Sequence, residues 1–274
     1  MKKLTFLGIA FMALAAASPA QAGGSWTGFY AGGNAGYAWG SADNTLAISD
    51  GVNCHFCFAS DISAAQSAGS PGFSPNGFSG GGQFGYNWQT FNWVYGVEFD
   101  VESFSQKQTV NNSVSLPANT AGASCFTAGA VSCVGNFSTS IKTDWLITLR
   151  PRLGYSWDQT LVYVTGGLAF TKLSYSQSYS DNLNFAPGNV GGSVTTSASD
   201  TKVGWVVGGG FERMIADNWS ARAEYLYVRF DGLNANGTLT DSSPGFIANF
   251  ANNMDHFSSN IVRVGFNYRF SPAP

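Results

Sequence analysis

The chain contains 274 residues, of which only 11% are charged and 15% are aromatic, with 34 glycines and 13 bases against 16 acids. The acidic balance argues against a nucleic-acid partner. Charge this sparse would solvate a water-soluble globule poorly. Yet beyond the first 22 residues no apolar run approaches the roughly 20 residues that a spanning helix needs. Apolar residues spread thinly along alternating strands satisfy both constraints.

At the amino terminus Met1-Lys2-Lys3 precedes an apolar run from Leu4 to about Ala17, followed by Ser18-Pro19-Ala20-Gln21-Ala22. A basic end, a short apolar middle and an Ala-x-Ala exit describe a secretory signal peptide, residues 1–22, cleaved after Ala22. Its loss removes Lys2 and Lys3, leaving 11 bases against 16 acids and a net charge of −5. Residues 23–274 then form one domain.

Period-2 alternation predicts eight strands in chain order: Trp26 to Gly40, Gly80 to Gln89, Trp93 to Phe104, Lys142 to Trp157, Leu161 to Lys172, Lys202 to Met214, Trp219 to Phe230 and Ser259 to Phe270. The pattern is cleanest where Phe84, Tyr86 and Trp88 interleave with Gln83, Gly85, Asn87 and Gln89. It recurs with Trp93, Tyr95, Val97, Phe99 and Val101 on one face and Glu98, Asp100 and Glu102 on the other. The fourth strand places Trp145, Ile147, Leu149, Leu153, Tyr155 and Trp157 outward, with Pro151 at a bulge or weak point of the ladder. In the fifth, Val162, Val164, Leu168 and Phe170 face outward. Connections at 89–92, 158–160 and 215–218 are short, whereas those near 41–79, 105–141, 173–201 and 231–258 are long and rich in Ser, Asn, Gly and Thr. The fold expected is all-β, an antiparallel transmembrane barrel of eight strands with periplasmic turns and long outer loops. Trp26, Trp39, Trp88, Trp93, Trp157 and Trp219 lie near strand ends, as interfacial girdles do.

Alternation turns Glu98, Asp100, Glu102, Asp144, Glu212 and Glu224 into the lumen with Arg150, Arg152, Arg222, Arg263 and Arg269. Charges withdrawn from water need partners, so a plugging ion-pair network is favoured over a gate around an aqueous path. Cys54, Cys57, Cys125 and Cys133 fall in predicted outer loops of an exported chain, where disulfides are favoured; three pairings are possible, and the local one, Cys54 with Cys57 and Cys125 with Cys133, demands the least loop rearrangement. Cys54-His55-Phe56-Cys57 lacks the four convergent ligands of a closed metal site, and its order is wrong for haem attachment. No metal or cofactor is expected.

Two motif matches carry no chemistry. Gly80-x-Gly82-x-x-Gly85 fits the dinucleotide fingerprint but lies in a strand with no helix after it, so its glycines are read as keeping the lumen face small and relieving strand curvature. His256-Phe257-Ser258 has a His-x-Ser spacing without a following carboxylate to orient the base, and His256 is read as a loop residue beside Asp255.

Trp26-Thr27-Gly28-Phe29-Tyr30-Ala31-Gly32-Gly33-Asn34-Ala35-Gly36-Tyr37 resembles the opening strand of the RopB-like outer-membrane immunogenic proteins of alphaproteobacteria. Asn260-Ile261-Val262-Arg263-Val264-Gly265-Phe266-Asn267-Tyr268-Arg269-Phe270 is similar to their last strand. Gly166 to Ala169, Gly204-Trp205 with Gly208 to Gly210, and Asp217 to Ala221 through Glu224 to Tyr227 also resemble the family. The resemblance implies an eight-stranded barrel related in architecture to the membrane domain of OmpA-like proteins, with antigenic surface loops. Chains of that family usually end on the aromatic residue, whereas Phe270 here is followed by Ser271-Pro272-Ala273-Pro274.

These features place the chain in the outer membrane of a Gram-negative cell, with its loops outside. The expected partners are outer-membrane lipids, lipopolysaccharide and the barrel-assembly machinery. A structural, surface-antigen role leads, with passive diffusion of small solutes second and an enzyme or receptor acting through the loops behind both. Val264, Phe266, Tyr268 and Phe270 form the outward face of the last strand and are read as the assembly signal. Phe270→Ala is therefore expected to lower the amount of protein in the outer membrane more than deletion of residues 271–274 does. A larger defect from the deletion would transfer the signal to the tail.

Overall fold

The computed structural model describes residues 25–50, 55–56, 58–117, 132–183, 191–241 and 247–270. The expected signal peptide, Cys54, Cys57, Cys125 and the tail after Phe270 lie outside these residues. Among the described residues nine strands and one helix follow in order: β1 (Gly28–Asp50), α1 (Ala59–Ala68), β2 (Gly72–Phe73), β3 (Asn76–Thr90), β4 (Trp93–Pro117), β5 (Ser132–Trp157), β6 (Thr160–Asp181), β7 (Gly192–Ala216), β8 (Trp219–Asp241) and β9 (Ile247–Arg269). Eight long strands pair antiparallel in the order β1-β3-β4-β5-β6-β7-β8-β9. Pairing of β1 with β9, from Tyr30↔Arg269 to Asp50↔Ala248, closes the ring and removes the sheet edges. The ninth strand, β2, is a two-residue addition beside β1.

Short turns join the strands at one end. Phe91 and Asp158 begin two of these turns with φ of 55° and 51°, the left-handed backbone that reverses a chain within two residues. Pro151 sits on the outward face as expected. The ladder to β6 skips from Leu149↔Leu168 to Arg152↔Thr165 with its register unchanged, and the Thr165 hydroxyl donates to the Pro151 carbonyl at 2.8 Å.

A continuous outward band is exposed, including Phe84, Val97, Val101, Leu149, Leu153, Val162, Val164, Leu168, Val207, Phe211, Val264 and Phe266. At the turn end it is bordered by Trp88, Trp93, Tyr155, Trp157 and Trp219, and at the other by Tyr37, Trp39, Phe78 and Trp205. An exposed apolar belt between two aromatic rings is what a hydrocarbon solvent selects. No helix among the described residues is long and apolar enough to cross a membrane.

The strands run well past this band. Most hold 22 to 26 residues, about twice what a tilted crossing requires. Much of 41–79, 105–141, 173–201 and 231–258, read from the sequence as loop, is thus strand. Beyond the outer aromatic ring the alternation persists, but its polarity is exchanged. Leu46, Phe137, Tyr175, Tyr179 and Phe250 point inward, while outward positions become Ser, Thr and Asn. Both regions obey one rule, that each face matches the medium it meets.

Irregularities collect at this change of surroundings. Register shifts fall between Ala42 and Asn44, between Ser103 and Lys107, and between Thr143 and Leu146. The β7–β8 ladder also lapses between Ser193 and Gly204. Because the closed ladder melts as one unit, the folded protein should migrate differently on a gel before and after boiling in mild detergent. Identical mobility under the two conditions would refute the closed barrel.

Candidate functional site in the lumen

The lumen is filled in layers. At the turn end Trp26, Val94, Leu161, Tyr163 and Met214 form a small apolar cluster. Trp26, expected in the outward girdle, is instead buried here. It precedes β1, so strand alternation does not govern it, and its backbone N–H donates to Gln89 Oε1 at 2.7 Å.

Above it lies the charge cluster, which brings together nine of the eleven charged residues assigned to the lumen from alternation. Glu98 stands directly opposite Arg150 across β4 and β5. Arg150 reaches Glu98 at 2.6 Å, Asp100 at 2.8 Å and Glu224 at 3.2 Å. Arg152 bridges Glu98 at 3.3 Å and Glu212 at 2.8 Å. Arg222 meets Glu98 at 2.5 Å, and Arg263 joins Asp100 at 2.7 Å, Glu224 at 2.5 Å and Glu102. All nine side chains are buried.

Neutral groups complete the cluster, and alternation places them inward without marking their role. Tyr30 donates to Glu98 at 2.7 Å, Ser79 to Glu102 at 2.7 Å, Thr148 to Asp100 at 2.8 Å, Tyr163 to Glu224 at 3.1 Å and Ser220 to Glu212 at 2.5 Å. The Arg152 guanidinium lies over the Tyr163 ring at 4.0 Å, a cation–π contact. Every long strand supplies at least one member. Glycine makes the room: of the three fingerprint glycines only Gly85 faces the lumen, where an added Cβ would lie 2.5 Å from the Tyr30 hydroxyl. Gly80 and Gly82 face outward, correcting the reading that all three thin the lumen.

Two assigned charges lie elsewhere. Asp144 sits at the β5 bulge, which reverses its face. Its side chain is about one-third exposed and pairs with Lys142 at 2.5 Å on the outer wall. Arg269 lies at the turn-end mouth beyond reach of the carboxylates, stacked over Trp26 at 5.5 Å and donating to the carbonyls of Ser25 and Asp217.

The layers continue outward. Phe104, Ile141, Leu146, Leu226, Phe230, Phe257 and Ile261 belong to an apolar core directly above the charges. Next comes a polar layer in which Asn252 accepts from Asn44 at 3.1 Å and Tyr175 at 2.8 Å and donates to Thr196 at 3.0 Å. The segment after α1 enters this layer. The Gly69 carbonyl accepts from Asn44 at 3.1 Å on β1 and Gln177 at 2.7 Å on β6, strands on opposite sides of the ring. An added Cβ at Gly69 would lie 2.3 Å from the Leu46 side chain and 2.8 Å from the Phe137 ring, so any larger residue would have to displace them. Ala65, with Ile62 beside it, caps a second apolar core of Leu46, Phe56, Leu116, Phe137, Tyr179 and Phe250. Burial, and secondarily the charge of Asp181, pushes the Tyr179 phenol above its ordinary range. At the outer end His55 Nε2 lies 2.7 Å from Asp181 Oδ2, both side chains buried.

Cys133 is disulfide-bonded and buried in this outer core, placed by β5 rather than by a loop; its partner lies outside the described residues. His256 lies within β9 opposite Asp231, not in a loop. Among the described residues no three His, Cys, Asp or Glu side chains converge as metal ligands. On the last strand Val264, Phe266 and Phe270 are exposed and Tyr268 half-buried, and the Phe270 N–H continues the ladder by donating to the Phe29 carbonyl at 2.8 Å.

Residues 7–270 match the family described as the outer membrane protein beta-barrel domain. The 31 kDa outer-membrane immunogenic protein of Brucella melitensis is 34% identical over 250 residues, 90% of this chain and 84% of that protein. The 25 kDa outer-membrane immunogenic protein of Brucella abortus is 26% identical over 130 residues, 47% of this chain and 48% of that one. Among solved structures, the outer membrane protein OprG of Pseudomonas aeruginosa matches 90% of this chain and 99% of its own at 12% identity, with a TM-score of 0.38. With the family match spanning nearly the whole chain and an apolar belt between aromatic rings on its wall, the protein belongs to the outer-membrane β-barrel family and resides in the outer membrane.

Proposed function

We propose that this protein is a plugged barrel that reinforces the envelope and presents its outer extension as a surface antigen. The observation that carries the reading is the continuous filling of the lumen. A charge cluster tied by every long strand is overlain by an apolar core, a polar layer crossed by the Gly69 segment and a second apolar core. Layers lined by Phe104, Phe230 and Phe257 oppose the passage of water and ions. The immunogenic relatives support the antigen role, and the length of strand beyond the membrane provides the surface that would be seen. The outward band meets acyl chains, and the β9 face is the natural contact for the assembly machinery. We read no catalytic role: His256 and Ser258 are ladder residues of β9, with His256 set opposite Asp231, and the glycine motif is part of a strand.

Passive diffusion of small solutes is the competing reading, and conductance separates the two. The refolded mature protein in a planar bilayer should show little or no steady conductance. Arg150→Gln with Arg152→Gln should lower stability by roughly 3–5 kcal/mol, because carboxylates left buried without partners cost far more than the pairs contribute. The readout is the denaturant midpoint in detergent. A large steady conductance in the unaltered protein, or a double variant that changes ion selectivity at unchanged stability, would establish a pore instead.

A further inference from the structure

Beyond the outer aromatic ring, the wall of β4 to β7 carries a surface of unusual uniformity. Strand register sets Asn111, Ser138, Ser178 and Thr195 side by side as outward neighbours on four consecutive strands. The outward rows two residues above and below them also contain only Ser, Thr and Asn. The upper part of this carpet is concave, a cleft of about 540 Å³ with those four residues in its lining.

Directly beneath the carpet lie cations. Lys107 and Lys142 are register partners across β4 and β5, and Lys172 follows on β6, two residues below the Ser174 that opposes Lys142. Like charges placed directly opposite destabilise a sheet unless something negative lies between them. Asp144, turned outward by the bulge, pairs with Lys142; Lys107 and Lys172 have no carboxylate within ion-pair distance among the described residues. On β7 Asp200 is taken by Lys202 at 3.2 Å. The far side of the barrel carries a net negative charge at this level, with Asp43, Asp231 and Asp255 exposed against Arg229. Four lysines against two aspartates on one wall is therefore a polarised patch rather than a uniform collar. Immediately below it begins the lipid-facing band of Val101, Ile147, Phe170 and Val203.

We propose that this wall binds one phosphorylated glycolipid of the outer leaflet. Its acyl chains lie on the apolar band, its phosphates on Lys107, Lys142 and Lys172, and its sugar hydroxyls on the Ser/Thr/Asn carpet. Each chemical zone of such a lipid meets its complement at the matching height. A phospholipid headgroup supplies the charge but is too short to use the carpet. The proposal rests on the membrane placement above and is independent of whether the lumen conducts.

The test uses the refolded mature protein in neutral detergent, with native mass spectrometry measuring binding of a diphosphorylated glucosamine-disaccharide lipid. Its dephosphorylated form and phosphatidylglycerol serve as comparisons. One-to-one binding is expected, at least tenfold weaker for either comparison lipid. Lys107→Ala, Lys142→Ala and Lys172→Ala together should weaken it on the order of 100-fold, at about fivefold per lysine, and the three arginine replacements should restore it. If the triple alanine variant loses its heat-dependent gel shift, Lys107→Ala and Lys172→Ala alone should each still cost about fivefold. Unchanged binding in these variants, or equal binding of phosphatidylglycerol, would overturn the proposal, whereas conductance reports only on the plugged lumen.

Discussion

Five carboxylates and four guanidiniums held away from water at mid-barrel lock β4, β5, β7, β8 and β9 in register, because burying any one of them is tolerable only with its partners in place. A slip of one residue in β4 would drive Glu98 and Asp100 into hydrocarbon and Phe99 into the lumen. The cluster therefore acts less as a source of net stability than as a selector of one closed arrangement. The phenols of Tyr30 and Tyr163 serve the same end, each donating to a carboxylate oxygen that also accepts from an arginine.

Two media act on one continuous ladder. Within the membrane the wall is apolar outside and polar inside; beyond it, Leu46, Phe137 and Phe250 fill the interior while hydroxyls face out, as in a water-soluble barrel. The transition is accommodated by bulges, which insert a residue and re-aim the side chains around it. At the β4–β5 bulge the Thr143 side chain substitutes for lost ladder bonds, donating to the Phe104 carbonyl at 2.6 Å and accepting from the Gln106 N–H at 3.2 Å. The same irregularity delivers Asp144 to the outer wall beside the lysines, so a local device for changing medium also shapes the surface that meets the outer leaflet.

Closure is reinforced at both ends by segments outside the long strands. Trp26, ahead of β1, seals the turn end, and the α1–Gly69 segment threads the outer lumen with backbone hydrogen bonds to opposite walls. Neither contributes to the ring itself, yet each places residues inside the barrel where an open barrel would have its mouth.

Alternation of side chains by itself determined the barrel class, the eight long strands, the three short turns and the inward direction of nine charges, since a period of two obliges neighbouring residues to face different media. The lipid-facing phase of β6 was legible for the same reason, in Val162, Val164 and Leu168. What the sequence could not disclose is where that phase breaks or inverts. Asp144 was misplaced because a bulge adds a residue without any mark in composition. The outer strand halves read as loops because their apolar residues face inward, so a pattern sought with aromatics outward finds only Ser, Thr and Asn there. Helix α1, with its weak Ala-rich pattern, and the burial of Trp26 were decided by tertiary structure alone, because each is held by distant strands that no local window contains.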